Sequence, residues 1–289
     1  MMATRAESIR RGTNWWALLS VALKVFGLLL FIILIPIAFN MEWRNFERIF
    51  QKFSSLRFLS LGALATIVVS LVAILASLPL ATGLALGRLS PFRFIRWIAI
   101  PYIEVIRALP LLLLIFYISL RFSDQLGVFQ RMGIGDTESY FGRAAQIILS
   151  QAGLTVMVAL TLYTAAVNAE LLRSGILSLD RGQTEAARSL GLTYWQTMRR
   201  VILPQAFRRT LAPLIAQFTI LVKDTSLGSI IGFIELQRSA RILYENDYNP
   251  MEALYIVALI YFVLNYLLGL TSRFIERKGP SVELRVADF

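Results

Sequence analysis

Five ionisable side chains stand inside stretches that are otherwise apolar: Glu104, Arg107, Glu170, Lys223 and Asp224. A cation in such surroundings can meet a carboxylate and an acid can meet an ammonium group, so the set suits a zwitterionic solute. The same residues also suit one another. Glu104 and Arg107 are one helical turn apart and can pair locally, while Lys223 and Asp224 can anchor neighbouring helices. An isolated charge at mid-bilayer costs roughly 2.5–3.5 kcal/mol or more, so either reading puts protein or water around them instead of lipid. Composition excludes most other chemistry. The 289 residues include no Cys and no His, which removes disulfides, thiolate nucleophiles, Cys/His zinc sites and imidazole acid/base catalysis. No two acids show catalytic or metal-ligand spacing and no Gly-x4-Gly-Lys-Ser/Thr loop occurs, so neither a catalytic nor a metal residue is assigned.

Apolar helices must position these groups. Hydrophobic residues make up 57% of the chain against 16% charged, with a mean hydropathy of +0.65, too apolar for an ordinary soluble domain. A bilayer core takes about 20 apolar residues per helix. Six runs qualify, at about 17–39, 60–87, 97–120, 147–172, 210–234 and 252–272. The first holds Lys24 near one end, where it can snorkel. Its leader, with Arg5, Arg10 and Arg11, is like a signal-peptide n-region, but the run is long for an h-region and Ala38-Phe39-Asn40 lacks a small-x-small cleavage site. The second carries Ala76, Ala81, Gly83, Ala85 and Gly87 around Pro79, which predicts close packing and a bend near the proline. No inverted repeat relates the two halves, which weighs against several secondary-transporter architectures.

The net charge of +11 raises the question of nucleic acid. Its distribution answers against that partner: seventeen Lys and Arg fall in one alternating set of loops and nine in the other. By the positive-inside rule both termini and the 173–209 loop are then cytoplasmic. The external loops 121–146 and 235–250 read either as docking surfaces or as solvated connections. Phe116, Tyr117, Tyr163 and Phe218 read as packing or as the lining of a passage.

The 173–209 loop is the polar interruption of the chain. Asp180–Gly191 reads as a short helix with Glu185 as the early acid facing the positive dipole end and Gly191 supplying a left-handed turn. Thr193 and Gln196 form a capping box that starts a second helix over Tyr194 to Leu203, limited by Pro204. Ala186 and Ala187 leave a low surface for a partner. Physical chemistry alone leaves two readings open, a helix docking against another protein and an amphipathic helix on headgroups aided by Arg199, Arg200, Arg208 and Arg209.

Glu185-Ala186-Ala187, three residues, Gly191, nine residues, Val201, one residue and Leu203-Pro204 resembles the EAA signature of ABC importer permeases, with Val201 where Ile is usual. Three further blocks resemble the polar amino-acid branch of that family. Ile103–Pro110 is similar to its Glu-x-x-Arg-Gly-Thr/Leu-Pro block, with Ala108 where Gly is commoner; Asn168–Gly175 is similar to its Ala-Glu-x-x-Arg-Gly-Gly turn; Leu221–Leu227 is similar to Leu-Leu-Lys-Asp-Thr-Ser-Leu. The resemblance spans about residues 58–278.

It implies an all-α integral membrane protein, a type I ABC importer-like permease bundle of about six transmembrane helices, five core and one N-terminal, with a cytoplasmic coupling helix. The organisation would be a leader, extra helix and external connection over 1–57, a permease core over 58–278 and a cytoplasmic tail over 279–289. The implied function is the inner-membrane permease of an ATP-driven importer for polar amino acids; the alternative is a secondary transporter or channel for a small polar solute. Its partners would be cytoplasmic ATPase subunits, a second permease subunit (homodimer or heterodimer), an extracytoplasmic solute-binding protein, the lipid bilayer and the amino-acid substrate. ATP and Mg would be bound by the ATPase, with no cofactor in this chain. The coupling residues implied are Glu185, Ala186, Ala187, Gly191, Val201, Leu203 and Pro204. The candidates for the translocation pathway or gate are Glu104, Arg107, Asn168, Glu170, Lys223 and Asp224.

Overall fold

The computed structural model describes residues 27, 30, 32–126, 139–246 and 250–278. The leader, most of the first expected span, the middle of the 121–146 loop and the 279–289 tail lie outside the described residues, although 32–38 is helical. All regular structure among the described residues is helical. A short helix α1 (Trp43–Gln51) precedes the longest one, α2 (Phe53–Leu89). Then come α3 (Arg93–Ala108), α4 (Leu111–Arg121), α5 (Tyr140–Ile148) and α6 (Gln151–Leu177). The second half holds α7 (Arg181–Ser189), α8 (Leu203–Asp224), α9 (Leu236–Asn246) and α10 (Pro250–Lys278).

Four helical stretches are long and apolar enough to cross a bilayer: Ser54–Leu89, Gln151–Leu177, Tyr194–Ile231 and Pro250–Thr271. The expected span over 97–120 is instead a broken pair, α3 and α4, bent by 107°. The cause is local. Pro110 has no N–H to continue α3 and its ring disfavours the helical conformation of the preceding residue; Leu109 accordingly sits extended at φ −78°, ψ 138°. Pro79 has a milder consequence, since α2 continues through it as a single helix.

The packing centre is α2 against α6. Helices in lipid gain little from hydrophobicity and depend on close packing of small residues. Along α2 these are Ala65, Val69 and Ala73, against Val156, Leu160 and Leu221, followed by Ala81 and Ala85 against Ala169 and Leu172. The hydroxyls on this face do not need the neighbour: Thr66 donates to the Gly62 carbonyl at 3.0 Å, Ser70 to that of Thr66 at 2.7 Å and Ser77 to that of Ile74 at 2.8 Å. At one end of α2, Gly62 meets α9 so closely that a Cβ would strike Ser239 and the Glu235 carbonyl. At the other end, Leu86 and Leu89 pack on the loop after α6. The molecule thus has a loop end, beside α7, and an opposite end, where α1, α9 and the start of α10 meet.

Candidate functional site

The loop between α6 and α8 is built as two capped turns. Asp180 caps α7 by accepting the Gly182 N–H at 2.8 Å. Glu185, expected as the early acid, lies in the middle of α7 and is exposed; the first turn holds no acid, so Asp180 is the group that meets the dipole. Gly191 takes φ +80° and closes α7 with two bonds, from the Gly191 N–H to the Arg188 carbonyl at 2.9 Å and from the Leu192 N–H to that of Ala187 at 3.2 Å. The capping box is present: the Thr193 N–H donates to Gln196 Oε1 at 2.9 Å and the Gln196 N–H to Thr193 Oγ1 at 3.4 Å.

Pro204 does not end the second helix. Residues Tyr194–Thr197 pass through a wide π turn, Met198–Ile202, directly into α8. In that turn the Leu203 N–H reaches back five residues to the Met198 carbonyl, and the widening gives the proline ring room where a tight helix would clash. The capped turn, the π turn and α8 therefore form one continuous helical path. The loop is also held from below, because Met198, Ile202 and Ala206 pack with Ile176 and Leu179, and Val201 and Leu203 lie partly buried against the same cluster. Ala187 is buried at 4% exposure, so only Ala186 of the alanine pair faces outward, alongside exposed Glu185, Gly191 and Pro204. Leu190, 83% exposed, and Trp195, 56% exposed, add apolar surface that the sequence reading passed over. An apolar residue on each side of a capped polar turn was the available signal.

Nearer the membrane a charged cluster ties three helices. Arg88 on α2 reaches Glu104 on α3 at 2.8 Å and Glu170 on α6 at 3.2 Å, and Arg173 Nε donates to both Glu170 oxygens at 3.0 Å. Glu104 is therefore not the local partner of Arg107; Arg88 takes it, coming from another helix. Arg107 is exposed and makes no hydrogen bond or ion pair among the described residues. Arg88 and Arg173 were absent from the sequence candidates because they read as loop cations. The helices extend past the apolar runs and bring both to the mouth of the bundle. Half of the Glu104 side chain, and about a quarter of each of the other three, remains open.

Lys223 and Asp224 end α8 without anchoring a neighbour, and among the described residues neither side chain has a hydrogen bond or ion pair. Lys223 is exposed and Asp224 half-buried. Asn168 is fully buried between α2 and α6, where its Nδ2 donates to Ser77 Oγ at 3.2 Å and its Oδ1 has no partner among the described residues; it faces α2, not an open surface. Tyr163 and Phe218 pack in clusters, whereas Tyr117 is 63% exposed.

The opposite end holds two buried acids that sequence reasoning missed. Glu235 accepts from the Gln237 and Arg238 N–H groups at 2.9 and 2.7 Å and from the Tyr261 hydroxyl at 2.8 Å. Burial pushes its carboxyl up from the usual range. Glu252 accepts from the Glu42 N–H at 2.9 Å and from Asn45 Nδ2 at 3.2 Å. The 235–250 segment, read as a docking surface or a solvated connection, holds a helix over Leu236–Asn246 entered from the buried Glu235; 247–249 lie outside the described residues.

Helices long and apolar enough to cross a bilayer, a broken apolar pair, charges at one end and a capped polar loop running into α8 define a multi-span membrane bundle. Residues 77–278 match the family described as binding-protein-dependent transport system inner membrane component, and the chain belongs to that family. It is 36% identical over 217 residues to the glutamate transport system permease protein GluD of Corynebacterium glutamicum, covering 75% of this chain and 73% of that one. It is 34% identical over 223 residues to the probable glutamine ABC transporter permease protein GlnM of Bacillus subtilis, covering 75% and 91%. A crystal structure of an amino acid ABC transporter with histidines superposes with a TM-score of 0.62 at 31% identity, over 78% of this chain and 95% of that one. The chain is a multi-pass inner-membrane protein, the permease subunit of an ABC transporter for polar amino acids.

Proposed function

We propose that this permease carries a polar amino acid inward, with the loop from Ser178 to Ile202 seated on a cytoplasmic ATPase and both termini on that same side. Relatives named for glutamate, glutamine and cystine support the cargo class. The observation that carries the coupling role is the continuous helical path from the capped turn at Thr193 through the π turn into α8. ATP and Mg are bound by the ATPase. Two such permeases, identical or paired with a related chain, enclose the route, and an extracytoplasmic binding protein delivers the solute at the far end.

In this reading Glu185, Ala186 and Gly191 face the ATPase with Leu190 and Trp195, while Ala187, Val201 and Leu203 hold the loop to the bundle and Pro204 marks where the path enters α8. The bridge from Glu104 through Arg88 to Glu170 closes the inner mouth, and Arg107, Lys223 and Asp224 meet the solute or the second permease above it. Asn168 supports the wall from behind. Replacing Gly191 with Asp tests the coupling role, since a side chain at φ +80° strains the turn. In proteoliposomes containing the ATPase, the G191D permease should be present at normal amount while ATP-dependent uptake falls at least tenfold. Full uptake would overturn the assignment.

A further inference from the structure

The first two turns of α3 present a surface that the bundle leaves open. They follow the end of α2 that packs on the coupling loop, and the turn between is ordered: Ser90 is buried and its Oγ accepts the Phe92 N–H at 3.2 Å. The inward face is committed to α2, since a Cβ on Gly87 would lie 3.1 Å from Ala99 Cβ and 3.3 Å from Ile95 Cγ2. The outward face carries Phe94 at 77% and Trp97 at 79% exposure, with Arg93 and Arg96 beside them.

Charge there is one-sided. No acid occurs between Glu47 and Glu104, and Glu104 and Glu170 are already matched by Arg88 and Arg173. Arg93 is exposed and Arg96 half-buried, and neither side chain has a hydrogen bond or ion pair among the described residues. Aromatic rings and guanidinium groups at one level suit the boundary between lipid headgroups and acyl chains.

The apolar side says what covers this surface. Phe94, Ile98 and Val105 are exposed and share one stripe of α3, which runs along the α3–α4 pair that is apolar enough to cross a bilayer. The stripe ends at the arginines, so they stand at headgroup depth. A second copy of this chain would set an equally acid-free stretch against them. A soluble protein could meet the arginines but not the stripe that continues below them.

We propose that Arg93 and Arg96 hold the phosphate of an anionic phospholipid, with Phe94 and Trp97 at the boundary between its headgroup and acyl chains. The bound lipid also has a route to the mouth. Arg93, Trp97 and Glu104 lie on one stripe of α3, and extended residues set α3 off at both ends, Phe92 at ψ 118° and Leu109 at ψ 138°. A headgroup that fixes the first turns of this rod keeps Glu104 against Arg88. That consequence rests on the reading of the bridge from Glu104 through Arg88 to Glu170 as the closed inner mouth; the lipid site does not.

The test titrates phosphatidylglycerol against phosphatidylcholine on the purified permease–ATPase complex and reads bound lipid by native mass spectrometry. One cation at a membrane surface favours an anionic lipid about fivefold. Replacing both (R93Q with R96Q) should therefore raise the phosphatidylglycerol fraction at half-occupancy about tenfold or more, and the charge-keeping pair R93K with R96K should restore most of the binding. In vesicles, hydrolysis without solute should fall severalfold as phosphatidylglycerol replaces phosphatidylcholine, and should stay high throughout in the glutamine variant. Unchanged half-occupancy in that variant overturns the proposal, and so does displacement of the lipid by inorganic phosphate at matched ionic strength. Weaker ATPase association in place of weaker lipid binding also overturns it and makes this surface an ATPase contact. If lipid occupancy shifts as expected but Arg88→Met leaves solute-independent hydrolysis unchanged, the reading of the mouth falls and the lipid site stands.

Discussion

Acids at the two ends of the bundle are held in opposite ways. At the end bearing α1 and α9, Glu235 and Glu252 are almost wholly buried and held by main-chain N–H groups, a hydroxyl and an amide, with Glu252 Oε2 alone lacking a partner among the described residues. At the loop end, Glu104 and Glu170 are partly open and held by arginines from other positions. A carboxylate bonded to backbone N–H groups cannot be released without undoing the local fold, so the first pair works as fasteners. A partly solvated ion pair is nearly neutral in free energy, so the second pair can open and close at small cost. A transporter needs both: an end that keeps the helices in register and a mouth whose contacts exchange during the cycle.

The comparison is broken most severely at Glu235. Glu235→Leu leaves the Gln237 and Arg238 N–H groups without an acceptor, at about 1–3 kcal/mol each, and leaves the Tyr261 hydroxyl with only the Thr66 and Thr225 hydroxyls beside it. The variant should fail to accumulate or should lose at least 10 °C of thermal stability in detergent, read by a melting curve. Glu252→Leu comes next, because it orphans only the Glu42 N–H and Asn45 and also removes Oε2, a buried oxygen with no partner among the described residues. A net loss of about 1 kcal/mol is expected, confined to the attachment of α1, so protease should cut within 32–52 faster while the core resists. Equal and small losses at both positions would show that these acids are not fasteners.

Arg88→Met sharpens the contrast from the other side. It removes the bridge from Glu104 to Glu170, yet at such exposure the expected stability loss is about 1 kcal/mol or less. The effect belongs in function: with the mouth no longer held shut, ATP hydrolysis in the absence of solute should rise severalfold while uptake per ATP falls. A melting temperature reduced as far as in Glu235→Leu, with normal coupling, would place Arg88 among the fasteners.

The legibility of each region in the sequence follows from how local its causes are. The turn at Gly191 and the capping box at Thr193 and Gln196 depend on neighbours within a few residues, and both were readable. The helix through Pro204 was not, because a π turn that makes room for a proline is a choice of backbone register and leaves no compositional mark. The break at Leu109 and Pro110 was masked by an apolar run long enough to look like one span. Pairings across helices were the least legible. Glu104 had Arg107 one turn away, and nothing in the spacing told it from Arg88 on α2, which the fold brings to 2.8 Å. Glu235 stood at the start of an expected loop and Glu252 at the start of an expected span, and neither position signals burial, because burial by a later helix or an earlier segment is a property of the assembled bundle.

The smallest expected effect lies between the two ends, where α2 and α6 pack closely. Thr164 Oγ1 and Asn168 Oδ1 are one turn apart on α6, fully buried, and neither has a hydrogen-bond partner among the described residues. Two such oxygens are costly only while unpaired, and the sign of Thr164→Val separates the possibilities. If the hydroxyl is unpaired, valine fills nearly the same volume without the desolvation penalty, and the melting temperature should rise by about 1–3 °C, the equivalent of roughly 1 kcal/mol or less. If a water molecule joins Thr164 to Asn168, valine strands that water's partner and the melting temperature should fall instead. The dry seam is the expected result, because the residues flanking this stretch of α6 are packed directly against α2. A dry middle would join the satisfied end to the open one as a rigid lever, so that what exchanges at Arg88 is carried to the far end by the helices themselves.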